Sequence, residues 1–158
     1  MTYNFSNDEL LLLSNTSLFV DLDPDQIKSI LSSSRRCHID RHTFIFHQGE
    51  PATSFHISLE GNVRLTQITP EGRQVIVHFF GPGDAMAFIA ILVDEAYPDS
   101  AEATSDSKLL SWDRTTTFQL MEQYPRLAVN GLQMVAKRFG SDSGRWCCRS
   151  RRLRSFCG

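Results

Sequence analysis

Gly81-Pro82-Gly83-Asp84, then the apolar segment Ala85-Met86-Ala87-Phe88-Ile89-Ala90-Ile91-Leu92-Val93, then Tyr97-Pro98-Asp99-Ser100-Ala101-Glu102-Ala103-Thr104, reads as loop, short helix, loop and strand. Pro82 has no N–H to give to a ladder and Gly83 tolerates unusual backbone angles, so a strand ends here. Asp84 is placed to accept from the amides of the following turn, as an N-cap does. A short helix whose free N–H groups face a pocket is a seat for an anion such as a phosphate.

Working outward, the segments on both sides have a period of two. Cys37 and Ile39, then Phe44 and Phe46, alternate with polar residues around Asp40-Arg41-His42. After the tight connection Gln48-Gly49-Glu50-Pro51-Ala52, the residues Phe55, Ile57 and Leu59 point one way and His56, Ser58 and Glu60 the other. Gly61 breaks that strand and Val63 to Thr66 resume the alternation. Thr69-Pro70-Glu71-Gly72 is a hairpin turn. Val75 to Phe80 is apolar on both sides, which predicts a central strand. Beyond the opening stretch, Ala101 and Ala103, then Leu109, Leu110 and Trp112, give two more strands joined at Asp106-Ser107. About eight short strands with turn signals every eight to twelve residues indicate an all-β roll rather than βαβ units.

Helices flank the roll. Asp8 to Ser14 suits one or two turns, and Asp23-Pro24-Asp25-Gln26 is an N-cap, a proline at the first helical position and an acidic first turn. Arg114 to Gln123 is helical in pattern, with Phe118 and Met121 on one face. After Tyr124-Pro125 comes a second helix, Arg126 to Phe139, apolar on much of its circumference. Such a helix must bury two sides. One side can lie on the roll and the other on a second copy of itself, through Leu127, Gly131, Met134, Val135 and Arg138; the alternative is a terminal helix packed only on its own domain.

Pro82-Gly83-Asp84 followed by Pro98-x-Ser100-Ala101, together with Phe46-x-x-Gly49-Glu50-Pro51-Ala52-x-x-Phe55 and Glu60-Gly61-x-Val63, resembles the cyclic-nucleotide-binding-like domain of the CRP/FNR superfamily of transcriptional regulators. The resemblance covers roughly residues 15 to 140. It implies a mainly β fold, a double-stranded β-helix or jelly roll with flanking N-terminal helices and a C-terminal dimerisation helix. It divides the chain into an N-terminal segment 1–14, the roll 15–124, the start of the dimerisation helix 125–140 and a tail 141–158. In this family the cassette reads Pro-Gly-Asp-x-Phe-Gly-Glu and later Pro-Arg-Ser-Ala, where the Glu holds the ribose and the Arg pairs with the cyclic phosphate. Here Phe88 stands in place of that Glu and Asp99 in place of that Arg. Exchanging a cation for an anion at about 4 Å turns an attraction of roughly 4 kcal/mol, at a surface-like dielectric, into a comparable repulsion. The resemblance therefore places a ligand site at Gly83, Asp84, Met86, Ala87, Phe88, Ile89, Leu92, Asp99, Ser100 and Ala101, and the two exchanges argue that cyclic AMP is not the ligand.

The resemblance is to sensors of several kinds, including nitric-oxide-responsive regulators of denitrification that bind haem. Haem iron takes one imidazole or thiolate as axial ligand. Among His38, His42, His47, His56 and His78, the axial candidate is His78, which lies just before the cassette. A cyclic-nucleotide-binding regulatory module is the first alternative. A cupin-like metalloenzyme is the second, resting on Gly49 and His56-x-Ser58-x-Glu60, but Ser58 occupies the place of a required second histidine. The chain carries no Ser-His-Asp or Cys-His constellation, Walker loop or zinc spacing. The expected role is non-enzymatic.

Composition sets the outer bounds. The chain has 158 residues, 41% apolar and 22% charged, with a formal net charge of −2, an ordinary globular composition. The longest apolar run, Ala85 to Val93, is too short for a bilayer, and the first twenty residues lack a basic start; a cytoplasmic location without membrane partners is expected. Cys37 stands alone in the body, so no N-terminal iron–sulfur cluster is expected and the thiol is read as a small buried hydrophobe. Up to Gly140 there are eleven Lys and Arg against seventeen Asp and Glu, a net of −6, whereas five Arg against Asp142 follow it. The acidic body argues against nucleic-acid binding by that body. The tail, Ser141 to Gly158, has no period and is too short for the winged helix-turn-helix with which the family continues. It reads as a truncated or frame-shifted end, or as a basic arm touching phosphates through Arg145, Arg149, Arg151, Arg152 and Arg154. DNA is accordingly expected as a partner only of a full-length parent.

Overall fold

The computed structural model describes residues 4–140; the expected basic tail lies outside them, as does the side chain of Arg138. Helix α1 (Asn7–Ser14), a 3-10 turn (Ser17–Phe19) and α2 (Pro24–Ser32) precede eight strands. These are β1 (Arg35–Ile39), β2 (Phe44–Phe46), β3 (Ser54–Glu60), β4 (Val63–Ile68), β5 (Gln74–Phe80), β6 (Ala85–Met86), β7 (Ser100–Ala103) and β8 (Ser107–Asp113). Helix α3 (Phe88–Leu92) interrupts them, and α4 (Arg114–Gln123) and α5 (Pro125–Gly140) follow. The strands form two antiparallel four-stranded sheets, in the orders β1-β8-β3-β6 and β2-β7-β4-β5. That is the expected jelly roll with its flanking helices.

Local chemistry sets the element ends. Ser6 Oγ accepts from the Glu9 amide at 3.2 Å while the Ser6 amide donates to the Glu9 carboxylate at 3.0 Å, so two end groups of α1 satisfy each other. The Asp23 amide likewise donates to Gln26 Oε1 at 3.0 Å, with Pro24 opening α2. Asp113 Oδ1 accepts from the Thr116 amide at 2.7 Å and caps α4; the same bond holds the Asp113 carboxyl below its usual pKa. The Thr69–Gly72 turn closes the β4–β5 hairpin with Gly72 N donating to Thr69 O at 2.8 Å. At Gly61 (φ 86°) a Cβ would sit 2.6 Å from the Asp106 carbonyl oxygen, so the turn after β3 excludes any side chain.

The first sheet is covered on both faces. Trp112 stacks on Phe55 with centroids 4.8 Å apart, and its indole N–H donates to the Ile30 carbonyl of α2 at 2.9 Å. On the opposite face of β3, His56 stacks on Phe46 of the second sheet at 6.0 Å. Strand β3 therefore does not alternate between core and solvent: Phe55 to Leu59 are all buried, because helices cover one face and the other sheet covers the second.

Strand β5 departs from its expected central place. It is an edge strand, and Val75, Ile76, Val77 and Phe79 are 40 to 59% exposed. Apolarity on two faces was the signal for a central strand, but here nothing among the described residues covers those faces. Strands β7 and β8, though joined by a short turn, lie in different sheets. In α4 Thr117 and Leu120 are buried and Met121 packs half-buried against the core, while Phe118 lies under the Arg114 guanidinium at 5.0 Å. Cys37 is half-buried beside the core rather than fully enclosed.

The helices bind the two ends of the chain to the roll. Leu13 of α1 is fully buried in the same core as both sheets. Helix α5 is anchored by Leu127, which is 1% exposed, and by Asn130, whose Nδ2 donates to the carbonyls of Leu18 at 2.9 Å and Val20 at 2.6 Å.

Candidate functional site

The opening stretch of the sequence is stapled to β3. Gly83 N donates to Ser58 O at 2.7 Å, and Ser58 N to Asp84 O at 3.1 Å. Asp84 does not cap the following helix. Its Oδ2 accepts instead from the Gly81 amide at 2.9 Å, which closes the loop on itself. The residue before α3 is Ala87, with φ 66° and ψ 12° and no side-chain cap. This left-handed geometry costs a non-glycine residue roughly 1 to 2 kcal/mol, and the cassette that the sequence resembles has glycine at this position.

Phe88 opens α3 and turns inward. It is 2% exposed, and its ring meets Phe55 edge-on at 5.1 Å. A Cβ at Gly131 would overlap the same ring, so α5 passes the cassette only because residue 131 lacks a side chain. The side chain at cassette position 88 is thereby packed between β3 and α5.

Between α3, the second sheet and α5 lies a cavity of about 440 Å³. Phe46, Leu65 and Phe80 line it from the sheet, Ala87, Phe88, Ile89 and Ala90 from the cassette, and Met134 and Val135 from α5. Tyr97 forms part of the wall. Its ring stacks on Phe46 at 4.1 Å, and its hydroxyl donates to Ser54 O at 3.0 Å while accepting from the Thr53 and Ser54 amides at 3.2 Å. Among the described residues, the acidic ones along the lining are Asp84, Glu95 and Asp99, and His78 joins them from β5.

Of the residues assigned to a ligand site from sequence, Gly83, Asp84, Ala87, Phe88, Ile89 and Asp99 line this cavity. Met86 is buried in β6, and Leu92 is packed half-buried beside the core. Ala101 is fully enclosed in β7, and Ser100 Oγ accepts from the Gln48 amide at 2.8 Å. Two residues read as dimer contacts, Met134 and Val135, face the cavity, while Leu127 faces the protein's own core. The outward side of α5 carries Val129 and Leu132, 42% and 72% exposed, which the sequence pattern had not separated from the inward ones. The sheet-side residues Phe46, Leu65 and Phe80 were also missed. Their place in alternating strands showed that they are buried, and nothing in sequence showed that a void lies against them.

His56 sits behind Phe46 with no hydrogen-bond partner for Nδ1. Burial pushes its pKa down to about 4, so the ring is neutral at pH 7. Among the described residues no group of three or more His, Cys, Asp or Glu is placed to hold a metal ion, and no helix is long and apolar enough to cross a membrane.

Residues 36–124 match the cyclic nucleotide-binding domain. The CRP-like cAMP-activated global transcriptional regulator of Mycobacterium tuberculosis is 22% identical over 127 residues, which are 80% of this chain and 57% of that regulator. A lysophospholipase, nte1 of Aspergillus niger, is 23% identical over 94 residues, 60% of this chain but 6% of that protein. Among solved structures, the catabolite activator protein of Thermus thermophilus superposes with a TM-score of 0.80 at 25% identity, covering 85% of this chain and 63% of that one. The sensor domain of the transcriptional regulator DNR from Pseudomonas aeruginosa gives 0.71 at 27% identity, covering 85% and 90%. The chain thus spans little more than half of the mycobacterial regulator and a small part of the lysophospholipase.

Proposed function

Since this chain belongs to the cyclic nucleotide-binding domain family and has the form of a CRP/FNR-type sensor domain, we propose that it is a non-enzymatic effector-sensing module whose ligand is not a cyclic mononucleotide. One observation carries the reading. The cavity is bounded by the cassette on one side and by Met134 and Val135 of α5 on the other, while Phe88 and Asp99 stand where the family's ribose and phosphate anchors belong. An occupant touches α5 directly, so its binding energy can bias how α5 packs. The outward residues Val129 and Leu132 suit a second copy of the same helix. In a longer parent chain, repacking of that pair would reposition a DNA-binding module.

Calorimetric titration with cyclic AMP tests the reading. No saturable binding is expected at concentrations where an intact cassette would fill. Tight binding of cyclic AMP would overturn the roles given to Phe88 and Asp99.

A second reading, haem sensing, is supported by His78, the one histidine among the described residues that lines the cavity. Its imidazole would be the axial ligand and the apolar wall would cover the macrocycle, which would supply the gas-binding iron. Haem sensing rests on that one side chain, so this reading stands second. An optical titration with haem, repeated on His78→Ala, separates the two: a Soret shift that the substitution removes would favour haem.

A further inference from the structure

The second sheet and α5 present carbon to the cavity. Phe46, Leu65 and Phe80 line it from the sheet, Met134 and Val135 from the helix, and Ile89 of α3 joins the two. Two hydroxyl-bearing residues of the lining spend their hydrogen-bonding capacity elsewhere. The Tyr97 hydroxyl donates to Ser54 O at 3.0 Å and accepts from the Thr53 and Ser54 amides at 3.2 Å. Its one donor and both acceptor sites are thereby used, so Tyr97 offers a guest its ring. Thr16 Oγ1 donates to the Leu12 carbonyl of α1 at 3.4 Å.

Protein interiors keep few voids larger than a water molecule, and an apolar side chain beside a void forgoes its contacts on that side. A cavity of about 440 Å³ against this wall is such a void. A guest made of carbon restores the contacts and leaves water in doing so, which strengthens binding about fourfold for each methylene buried. A dry cavity of about 150 Å³ already takes benzene, so roughly two to three rings' worth of carbon fits here.

We propose that the effector of this cavity is a hydrophobic small molecule, recognised by burial of an alkyl or aryl body against Phe46, Leu65, Ile89, Met134 and Val135 rather than by contacts to a phosphate or a sugar. This rests on the reading of the cavity as the effector site and adds the chemical class of the ligand to it.

A homologous series of uncharged probes tests it: 1-butanol, 1-hexanol, 1-octanol and 1-decanol, titrated into the protein by calorimetry and followed by the methyl resonance of Met134, assigned through Met134→Leu. Affinity is expected to rise about fourfold with each added methylene, and the Met134 methyl signal to shift as the site fills. Met134→Trp, which takes up part of the cavity, is expected to level the rise off at a shorter chain. A rise below about twofold per methylene, with the methyl signal still shifting, refutes recognition by burial and leaves the cavity reading standing. A full rise that Met134→Trp leaves unchanged places the chains on an exposed surface and overturns the proposal. No shift with any of the four up to their solubility also refutes it, and haem added in their place then decides the cavity reading: a shifted or broadened methyl signal keeps that reading, and an unchanged one ends it.

Discussion

Glycine 131 sits mid-helix, where alanine is ordinarily better by about 1 kcal/mol. The surroundings reverse that preference, because the methyl group of an alanine would overlap the Phe88 ring, which is itself held against Phe55. Overpacking of this kind costs about 1 to 3 kcal/mol, so Gly131→Ala is expected to destabilise the fold by about 1 kcal/mol net, read as a lower urea midpoint. Adding Phe88→Leu, which shortens the obstructing group, is expected to recover part of the loss. A rise in the midpoint of the single variant would show that the ring is not pinned. At this scale the sequence was partly legible. Gly131 was visible as a contact position within α5, and Phe88 and Asp99 were visible as exchanges in a motif. That residues 88 and 131 meet was not, because they lie on separate elements and no local period links them.

Helix α5 shows what its own sequence does and does not encode. The helix was visible from its apolar spacing and from Pro125 at its start, and the need to bury two sides followed from that spacing. Which residue belongs to which side depends on the helix's rotation, and that is set by two hydrogen bonds from Asn130 to the turn before α2. Once α5 is so fixed, Leu127 and Gly131 turn inward, Met134 and Val135 reach the cavity, and Val129 and Leu132 turn out. If that outward side meets a second copy, Leu132→Glu places like charges opposite each other in the pair and is expected to convert dimer to monomer, without lowering the thermal midpoint of the monomer by more than a degree or two. Sedimentation equilibrium across a range of concentrations checks this; an unchanged association state would exclude α5 as the contact.

Across the whole molecule, acid stability follows from one buried ring. His56 has a folded pKa of about 4 against 6.5 for the unfolded chain. Above pH 6.5 neither state binds the proton, so the ring's full contribution is present. As pH falls below 6.5 the unfolded state protonates first, and stability drops until the folded pKa is reached, by roughly 3 kcal/mol in all. His56→Phe removes that titration, so the loss in unfolding free energy between pH 7 and pH 4 is expected to be smaller in the variant by about that amount. Parallel curves for the two proteins would mean that the ring reaches solvent. The jelly roll itself was legible from spaced turns and alternating strands, as were the helical flanks. The burial of His56 was not, since simple alternation assigns it to solvent and only the layering of helices, sheet and second sheet encloses both faces of β3. The same limit misplaced β5, whose continuous apolar run indicates a need for cover without showing whether this chain supplies it. Among the described residues, that strand leaves a row of backbone donors and acceptors without a neighbour on its outer side, flanked by greasy side chains. Such a rim is a template on which another extended segment can grow, so crowding this protein in solution raises its tendency to clump, and a lysine on that rim is the simplest protection against it.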